Sequence, residues 1–324
     1  MEQARPGIAF YDLQPEAGSF LEDVLSGLSR PQKALNPKYF YDARGCELFD
    51  TICGLPEYYP TRTEMAMMQA RAPEMARHLG PDGILIEYGS GTSRKTRVLI
   101  AALDPAVYVP IDIAGEQLRV SAMQLAEAFP KLEIIAVCAD YSRPFRLPEI
   151  GSMSARRRVI YFPGSTIGNF TAPEAQAFLR NARALAGAEG AMLVGVDLKK
   201  DHALLHAAYN DAQGVTVEFN LNLLARINRE LGADFDLPAF RHHAFYNAGA
   251  GRIEMHLVSL KAQRVTLGGR IFDFRPGETI HTENSCKYSV GEFQQLARSA
   301  GFEPAACWTD PRQWFAVHYL TVPR

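Results

Sequence analysis

Ile84-Leu85-Ile86-Glu87-Tyr88-Gly89-Ser90-Gly91-Thr92-Ser93-Arg94-Lys95 is the stretch from which the fold can be read. A short apolar run ends in an acid. Two glycines follow, two apart, and then a polar segment with helical character. This is how a buried parallel strand delivers a nucleotide-like ligand to a helix N-terminus.

The texture on either side of that stretch agrees. Strands are predicted at 84–87, 107–113, 132–138, 158–162 and 191–196, with helices at 95–103, 117–129 and 173–185 between them. Pro173 falls in a first helical turn, where its missing N–H costs nothing. This alternation predicts a doubly wound parallel α/β sheet. Near the end, a helix at 290–300 precedes strands at 302–309 and 314–321, a terminal antiparallel hairpin. Upstream, residues 19–29 read as a helix. Thr61 with Glu64 matches a capping box, so a second helix is expected from there to about His78. Residues 200–285 interrupt the pattern with helical stretches (204–210, 220–231) and strand-like ones (252–260, 265–272), and read as an insertion.

The 324 residues carry a formal net charge of −2, with 47% hydrophobic and 22% charged residues. That balance suits a soluble globular protein and gives no electrostatic reason to expect nucleic acid or an anionic membrane as partner. A small-molecule ligand is the default expectation. Cys46, Cys53, Cys138, Cys286 and Cys307 are scattered without a C-x-x-C pair, which fits free thiols in a reducing cytosol. The N-terminal stretch carries Glu2, Asp12 and Glu16 and lacks a long apolar core, so no signal peptide is expected. No run approaches the roughly 18 apolar residues of a membrane helix. The expected location is cytoplasmic.

The cofactor is narrowed by what the glycine turn lacks. A dinucleotide fingerprint needs a third glycine, and Arg94 stands in its place. Glu87, Gly89 and Gly91 instead give acid-x-Gly-x-Gly, the spacing of the first motif of S-adenosylmethionine-dependent methyltransferases. Asp112 closes the second strand, where an acid can hydrogen-bond both ribose hydroxyls. Asp140 closes the third, followed by Tyr141: a carboxylate for the adenine amino group and a ring for its face. Acids at strand ends also cap helices, the alternative reading of each. The terminal hairpin belongs to the methyltransferase version of the sheet, not the nicotinamide version.

Five motifs occur in order: Tyr39-Phe40-Tyr41-Asp42, Leu55-Pro56-Glu57-Tyr58-Tyr59-Pro60-Thr61-Arg62, Glu87 through Ser93, Pro163-Gly164-Ser165-Thr166-Ile167-Gly168-Asn169, and Thr282-Glu283-Asn284-Ser285-Cys286-Lys287-Tyr288. Over nearly the whole chain the sequence resembles the L-histidine Nα-methyltransferases of ergothioneine biosynthesis. The resemblance implies a Rossmann-like class I methyltransferase domain with a terminal antiparallel hairpin (62–198 and 287–324). It also implies a second, α+β substrate-binding domain (1–61 and 199–286). It assigns Tyr41, Gly89, Lys95, Asp112 and Asp140 to S-adenosyl-L-methionine, and Tyr141 joins them from the reading above. It assigns Tyr58, Gly164, Asn169 and Tyr209 to the amino acid, with Tyr58 and Asn169 at the reacting end, and Glu283 with Ser285 to the imidazole. Neutral imidazole presents one N–H and one lone pair, so a carboxylate and a hydroxyl form a matched reader. Strand alternation puts Glu283 and Ser285 on one face. The implied reaction is three methyl transfers from S-adenosyl-L-methionine to L-histidine; no oligomer is implied, and a monomer is favoured.

Bland alternatives accompany these residues. Tyr58 and Tyr59 could be core aromatics, Asn169 a helix cap, and Glu283 a surface partner of Lys287. The function itself has rivals: a related enzyme acting on another amine such as tryptophan, a nicotinamide-dependent oxidoreductase, or a non-catalytic binding module. An indole offers Ser285 no ring lone pair, which argues against tryptophan. His202 and His206, four apart on a helix, and adjacent His242 and His243 are the candidate metal ligands, but there is no H-E-x-x-H and no cysteine cluster, so no metal is expected.

Overall fold

The computed structural model describes residues 7–13, 19–91, 93–148 and 156–323. Thr92 of the glycine-rich turn, most of the N-terminal stretch (1–6, 14–18) and residues 149–155 lie outside that set. The chain divides into two compact units: Met1–Pro15 with Arg62–Leu198 and Tyr288–Arg324, and Glu16–Thr61 with Lys199–Lys287.

The first unit is built on an eight-stranded sheet. Its parallel strands are β1 (Ile8–Asp12), β3 (Ile84–Tyr88), β4 (Val107–Asp112), β5 (Glu133–Cys138), β6 (Arg158–Phe162) and β7 (Ala191–Asp197). The antiparallel pair β13 (Glu303–Thr309) and β14 (Phe315–Thr321) closes one edge, giving the order β1-β5-β4-β3-β6-β7-β14-β13. The chain leaves β3 toward β4 and later returns to its other side as β6, so the order reverses at β3. In open α/β sheets, ligands bind at the carboxyl ends of strands beside such a reversal. Every residue of β3 is buried, as a central strand covered on both faces must be.

Helices α3 (Tyr59–Leu79), α4 (Arg94–Leu103) and α5 (Gly115–Ala128) pack on one face, where Met68, Met75, Leu99, Leu125 and Leu85 meet. On the other face, α6 (Ala172–Ala186) and α9 (Val290–Ser299) bury Phe178, Leu179 and Phe293 against Ile84, Ile86 and Tyr88.

The second unit holds the sheet β2-β12-β9-β8: β2 (Lys33–Ala34), β12 (Thr279–Cys286), β9 (Arg252–Ser259) and β8 (Phe240–Asn247). It also contains α1 (Ser19–Leu28), α2 (Ala43–Gly54), α7 (His202–Ala207) and α8 (Val215–Leu231). Asn220 of α8 ties this sheet together: its Nδ2 donates to His256 O (3.1 Å), and its Oδ1 accepts from Thr282 Oγ1 (2.8 Å).

Four expectations are corrected. Residues 1–61 do not stay together, because β1 pairs in parallel with β5 and joins the first unit's sheet. Lys287 belongs with the second unit, where its N–H donates to Gly251 O (2.9 Å). The strand-like run 265–272 is a hairpin of β10 (Gln263–Leu267) and β11 (Arg270–Phe274). Gly268 and Gly269, both at positive φ, make the two-residue turn that alternation alone does not reveal. Helix α3 begins at Tyr59, so Thr61 and Glu64 lie inside it and form no capping box.

Candidate active site

In the first unit the glycine turn follows β3. Gly89 (φ 70°) and Gly91 (φ 45°) occupy the left-handed region, and Ser93 does so at φ 53° without glycine's freedom. Non-glycine residues held there concentrate at functional sites. The Gly89 N–H donates to Ile111 O (2.8 Å), and Gly91 N–H reaches Asp112 Oδ2 (3.2 Å). Asp112 Oδ1 takes the Ala114 N–H (3.0 Å). Two backbone donors thus aim the Asp112 carboxylate at the strand ends, and burial raises its pKa. Asp112 thus braces the local backbone, as the capping alternative expects.

Asp140 sits half-buried after β5 and accepts the Ser142 N–H (3.0 Å). The Tyr141 ring packs inward against Tyr88 (centroids 5.5 Å) and Phe162 (5.9 Å). Its hydroxyl faces Gly89, where an added Cβ would stand 3.3 Å away. Tyr141 therefore shapes the turn from beneath.

Two buried acids support the loops that follow β3 and β6, the first and second loops of the site. Glu87 accepts from Thr96 Oγ1 (2.7 Å) and from the Tyr108 hydroxyl. Burial pushes its carboxyl up to about 8. It pins the first turn of α4 to β3 and β4. Glu64, read in the sequence as half of a cap, is buried under the second loop: its carboxylate accepts the Gly164 N–H (2.9 Å) and pairs with Lys95. Gly195 of β7 leaves the space for it, since a Cβ there would lie 2.2 Å from Glu64 Oε1. No sequence signal marks Glu64, because it acts through a loop a hundred residues away.

Gly164 (φ 81°) and Ser165 (φ 59°) turn the loop after β6, and Ser165 Oγ accepts the Asp197 N–H (2.8 Å). Asn169 ends the short helical turn Thr166–Asn169. It does not cap α6: Thr171 does, with Glu174 accepting its N–H (2.8 Å).

In the second unit Asp42 N-caps α2 by accepting Gly45 N–H (2.8 Å), and it also accepts from Asn222 (2.8 Å) and Arg229. Burial opposes its charge, but these donors hold the carboxyl below its ordinary value. The cap fixes Tyr41, whose ring meets Phe49 (5.6 Å) and Phe219 (5.9 Å) edge-on. Tyr58 continues the cluster, edge-on to Phe49 (6.3 Å) and Tyr209 (6.3 Å). Burial, reinforced by Tyr209, Cys53 and Glu283, drives its phenol pKa far up, so it stays neutral. Tyr59 is instead a fully buried core ring whose hydroxyl takes Lys200 Nζ (2.7 Å).

Tyr209, Ser285 and Lys287 form a buried triangle. The Tyr209 hydroxyl donates to Ser285 Oγ (2.7 Å), and Lys287 Nζ donates to Ser285 Oγ (2.7 Å) and to the Tyr209 oxygen (3.2 Å). Glu283 is buried too, so the surface-pair alternative with Lys287 does not hold. Burial raises the Glu283 carboxyl to about 7, with Lys287 pulling the other way. Among the described residues, none donates a hydrogen bond to it. Lys287 was not anticipated; its place in the Glu-Asn-Ser-Cys-Lys run was the available signal.

His242 has both ring nitrogens engaged, Nδ1 by Asn220 (2.9 Å) and Nε2 by Tyr209 O (2.9 Å). The His202 ring lies against Tyr246 (4.5 Å). Among the described residues, no helix is long and apolar enough to cross a membrane.

Comparison with known proteins agrees with this arrangement. A family described as "Histidine-specific methyltransferase, SAM-dependent" matches residues 20–322. Histidine N-alpha-methyltransferase of Mycolicibacterium smegmatis is 42% identical over 309 residues, 93% of this chain and 94% of that one. Its Mycobacterium tuberculosis counterpart is 44% identical over 296 residues, 89% of this chain and 90% of that one. Ergothioneine biosynthesis protein 1 of Neurospora crassa is 29% identical over 94% of this chain, which spans 35% of that longer protein. With its glycine turn, its acids at the strand ends and this match along almost its whole length, the chain belongs to the histidine-specific, S-adenosylmethionine-dependent methyltransferases.

Proposed function

We propose that this protein methylates the α-amine of L-histidine three times, yielding the trimethyl betaine hercynine for ergothioneine biosynthesis. The observation that carries the substrate is the hydrogen-bond polarity of Ser285. Its oxygen already accepts from Tyr209 and Lys287. Lys287, which can only donate, fills one Ser285 lone pair, and with Tyr209 donating to the other the Ser285 proton is available to a ligand. Beside it, Glu283 is a buried acceptor. One outward donor and one acceptor, two residues apart on one strand face, match the lone pair and the N–H of neutral imidazole. An indole supplies no ring lone pair, which disfavours tryptophan. Sites of this kind reject an analogue lacking the polar group by about 10⁴-fold or more.

Gly89, Gly91, Lys95, Asp112, Asp140 and Tyr141 of the first unit, and Tyr41 of the second, are the residues assigned to the cofactor. The positive-φ glycines and the braced Asp112 carboxylate suit the methionine and ribose parts of the cofactor. S-adenosyl-L-methionine, when bound, supplies an electrophilic methyl on a sulfonium. The residues' task is to present a neutral amine to it in line. Gly164 and Asn169 offer a backbone group and an amide for the substrate's carboxylate and amine. Neutral Tyr58 and the rings of Tyr41 and Phe49 favour a growing ammonium. The enzyme acts as a cytoplasmic monomer on a small molecule, with no nucleic-acid or membrane partner.

The test is direct. Incubation with L-histidine and S-adenosyl-L-methionine should give mass gains of one, two and three methyl groups on histidine and none on tryptophan. Cofactor binding without methylated histidine overturns the substrate; no cofactor binding at all overturns the reaction class.

A further inference from the structure

We propose that Glu254, His256 and His281 hold a zinc-class divalent transition ion, on the opposite face of the second unit's sheet from Glu283 and Ser285.

The strand register creates this site. His281 of β12 lies directly opposite His256 of β9. A bulge between His281 and Glu283 then shifts the register, so that Glu283 pairs with Met255, Asn284 with Glu254 and Ser285 with Ile253. Side chains alternate faces along a strand, and paired residues share one. Glu254, His256, His281 and Asn284 therefore share a face, while Glu283 and Ser285 take the other. Without the extra residue of the bulge, His281 and Glu283 would point the same way.

The donors are already gathered. Glu254, His256 and His281 each offer one ligand atom, all within 4.8 Å of one another. His256 Nε2 is 3.2 Å from Glu254 Oε2. Zinc bonds of about 2.0–2.1 Å in a tetrahedron give ligand–ligand edges of about 3.3 Å. The His256 and His281 rings lie 4.9 Å apart at 49°. Arg252 Nε (2.9 Å) and Asn247 Nδ2 (3.0 Å) both hold Glu254 Oε1, steadying the carboxylate and leaving Oε2 toward the histidines.

A second, independent observation points to a ligand. Among the described residues, His256 Nδ1, His281 Nε2 and Asn284 Oδ1 are all buried with no hydrogen-bond partner, and His256 is only 8% exposed. Buried polar atoms are rarely left unpaired. With His256 Nε2 turned to Glu254, the unpaired His281 Nε2 is the lone pair this patch leaves for a ligand, and His256 Nδ1 would carry the proton of a metal-bound ring. Two imidazoles and one carboxylate select a zinc-class ion over calcium or magnesium, which take oxygen ligands in larger number. Three protein ligands leave a fourth position for water or an anion.

The experiment uses the whole protein, stripped with a chelator and then titrated with cobalt(II) and zinc(II) chloride. One equivalent of cobalt should give the intense visible absorption of a tetrahedral site, and zinc should bleach it. His281→Gln, a half-buried position, should weaken binding at least tenfold. A His202→Gln/His206→Gln variant should bind as the wild type does. Zinc-edge X-ray absorption on the wild type should report two imidazoles and no sulfur, whatever the folding of any variant. No tetrahedral absorption, a cobalt spectrum unchanged in His281→Gln, or sulfur in the zinc shell overturns the site.

Discussion

Lys287 Nζ lies 2.7 Å from Ser285 Oγ, and both side chains are buried. The ammonium does more than neutralise nearby charge. It occupies a Ser285 lone pair and so favours the hydroxyl acting as a donor.

That relationship makes Ser285→Ala a sharp test. The variant removes the outward donor and takes one acceptor from a buried ammonium, a loss of about 1–3 kcal/mol. Histidine affinity, measured by calorimetry, is expected to fall about 10- to 100-fold while cofactor affinity stays within a factor of two. Lys287→Met frees a Ser285 lone pair and should also weaken histidine binding, because the hydroxyl can then rotate.

Glu283 links the site to stability. Its carboxyl goes from 4.5 in the unfolded chain to about 7 in the folded one, because burial penalises the charged form. The unfolded state therefore loses its proton first. The penalty is absent below about 4.5, grows as pH rises, and is complete above about 7, where it amounts to about 3 kcal/mol. Glu283→Gln should thus melt higher than the wild type at pH 8 and nearly equal to it at pH 4.5, while histidine binding collapses. Equal melting-point differences at both pH values would count against a buried, strained carboxylate.

Glu87 carries the same sign over a wider window. Burial raises it from 4.5 to about 8, and Thr96 and Tyr108 hold it. Glu87→Gln resembles the protonated acid, so it should keep cofactor affinity at pH 7 and raise stability progressively as pH goes from 5 to 8. Glu87→Ala leaves a cavity and two unpaired hydroxyls, and should cost about 3 kcal/mol in urea unfolding.

Gly195 and Glu64 make a steric prediction. An added Cβ at Gly195 would sit 2.2 Å from Glu64 Oε1 and 3.0 Å from the Phe315 ring. Gly195→Ala must displace the carboxylate from the Gly164 N–H and from Lys95. Overpacking with a broken buried pair should cost about 3 kcal/mol or more. Gly195→Ala combined with Glu64→Ala should recover part of that loss; a purely additive double variant would refute the coupling.

The parallel sheet was legible in the chain because a buried strand needs an unbroken apolar run and a glycine turn needs positive φ. Both are local demands, and both are written in residues 84–95. Asp112 and Asp140 were equally legible, since they stand at strand ends. Glu64 was misread because its partners, Gly164, Lys95 and Gly195, are brought to it only by the folded sheet. Strand β1 was missed because five residues at an edge carry little pattern by themselves. The hairpin at Gly268-Gly269 passed for one strand because alternation continues across it.

The sequence by itself determined the sheet and the cofactor class, because each rests on residue type and near-neighbour spacing, and it named Glu283 and Ser285 as candidate readers of the imidazole. Only the tertiary structure decided which groups hold Ser285, what Glu64 supports, and that His281 and Glu283 face opposite sides of one strand. Those depend on partners distant in the chain and on a single bulge, and neither local propensity nor periodicity encodes them.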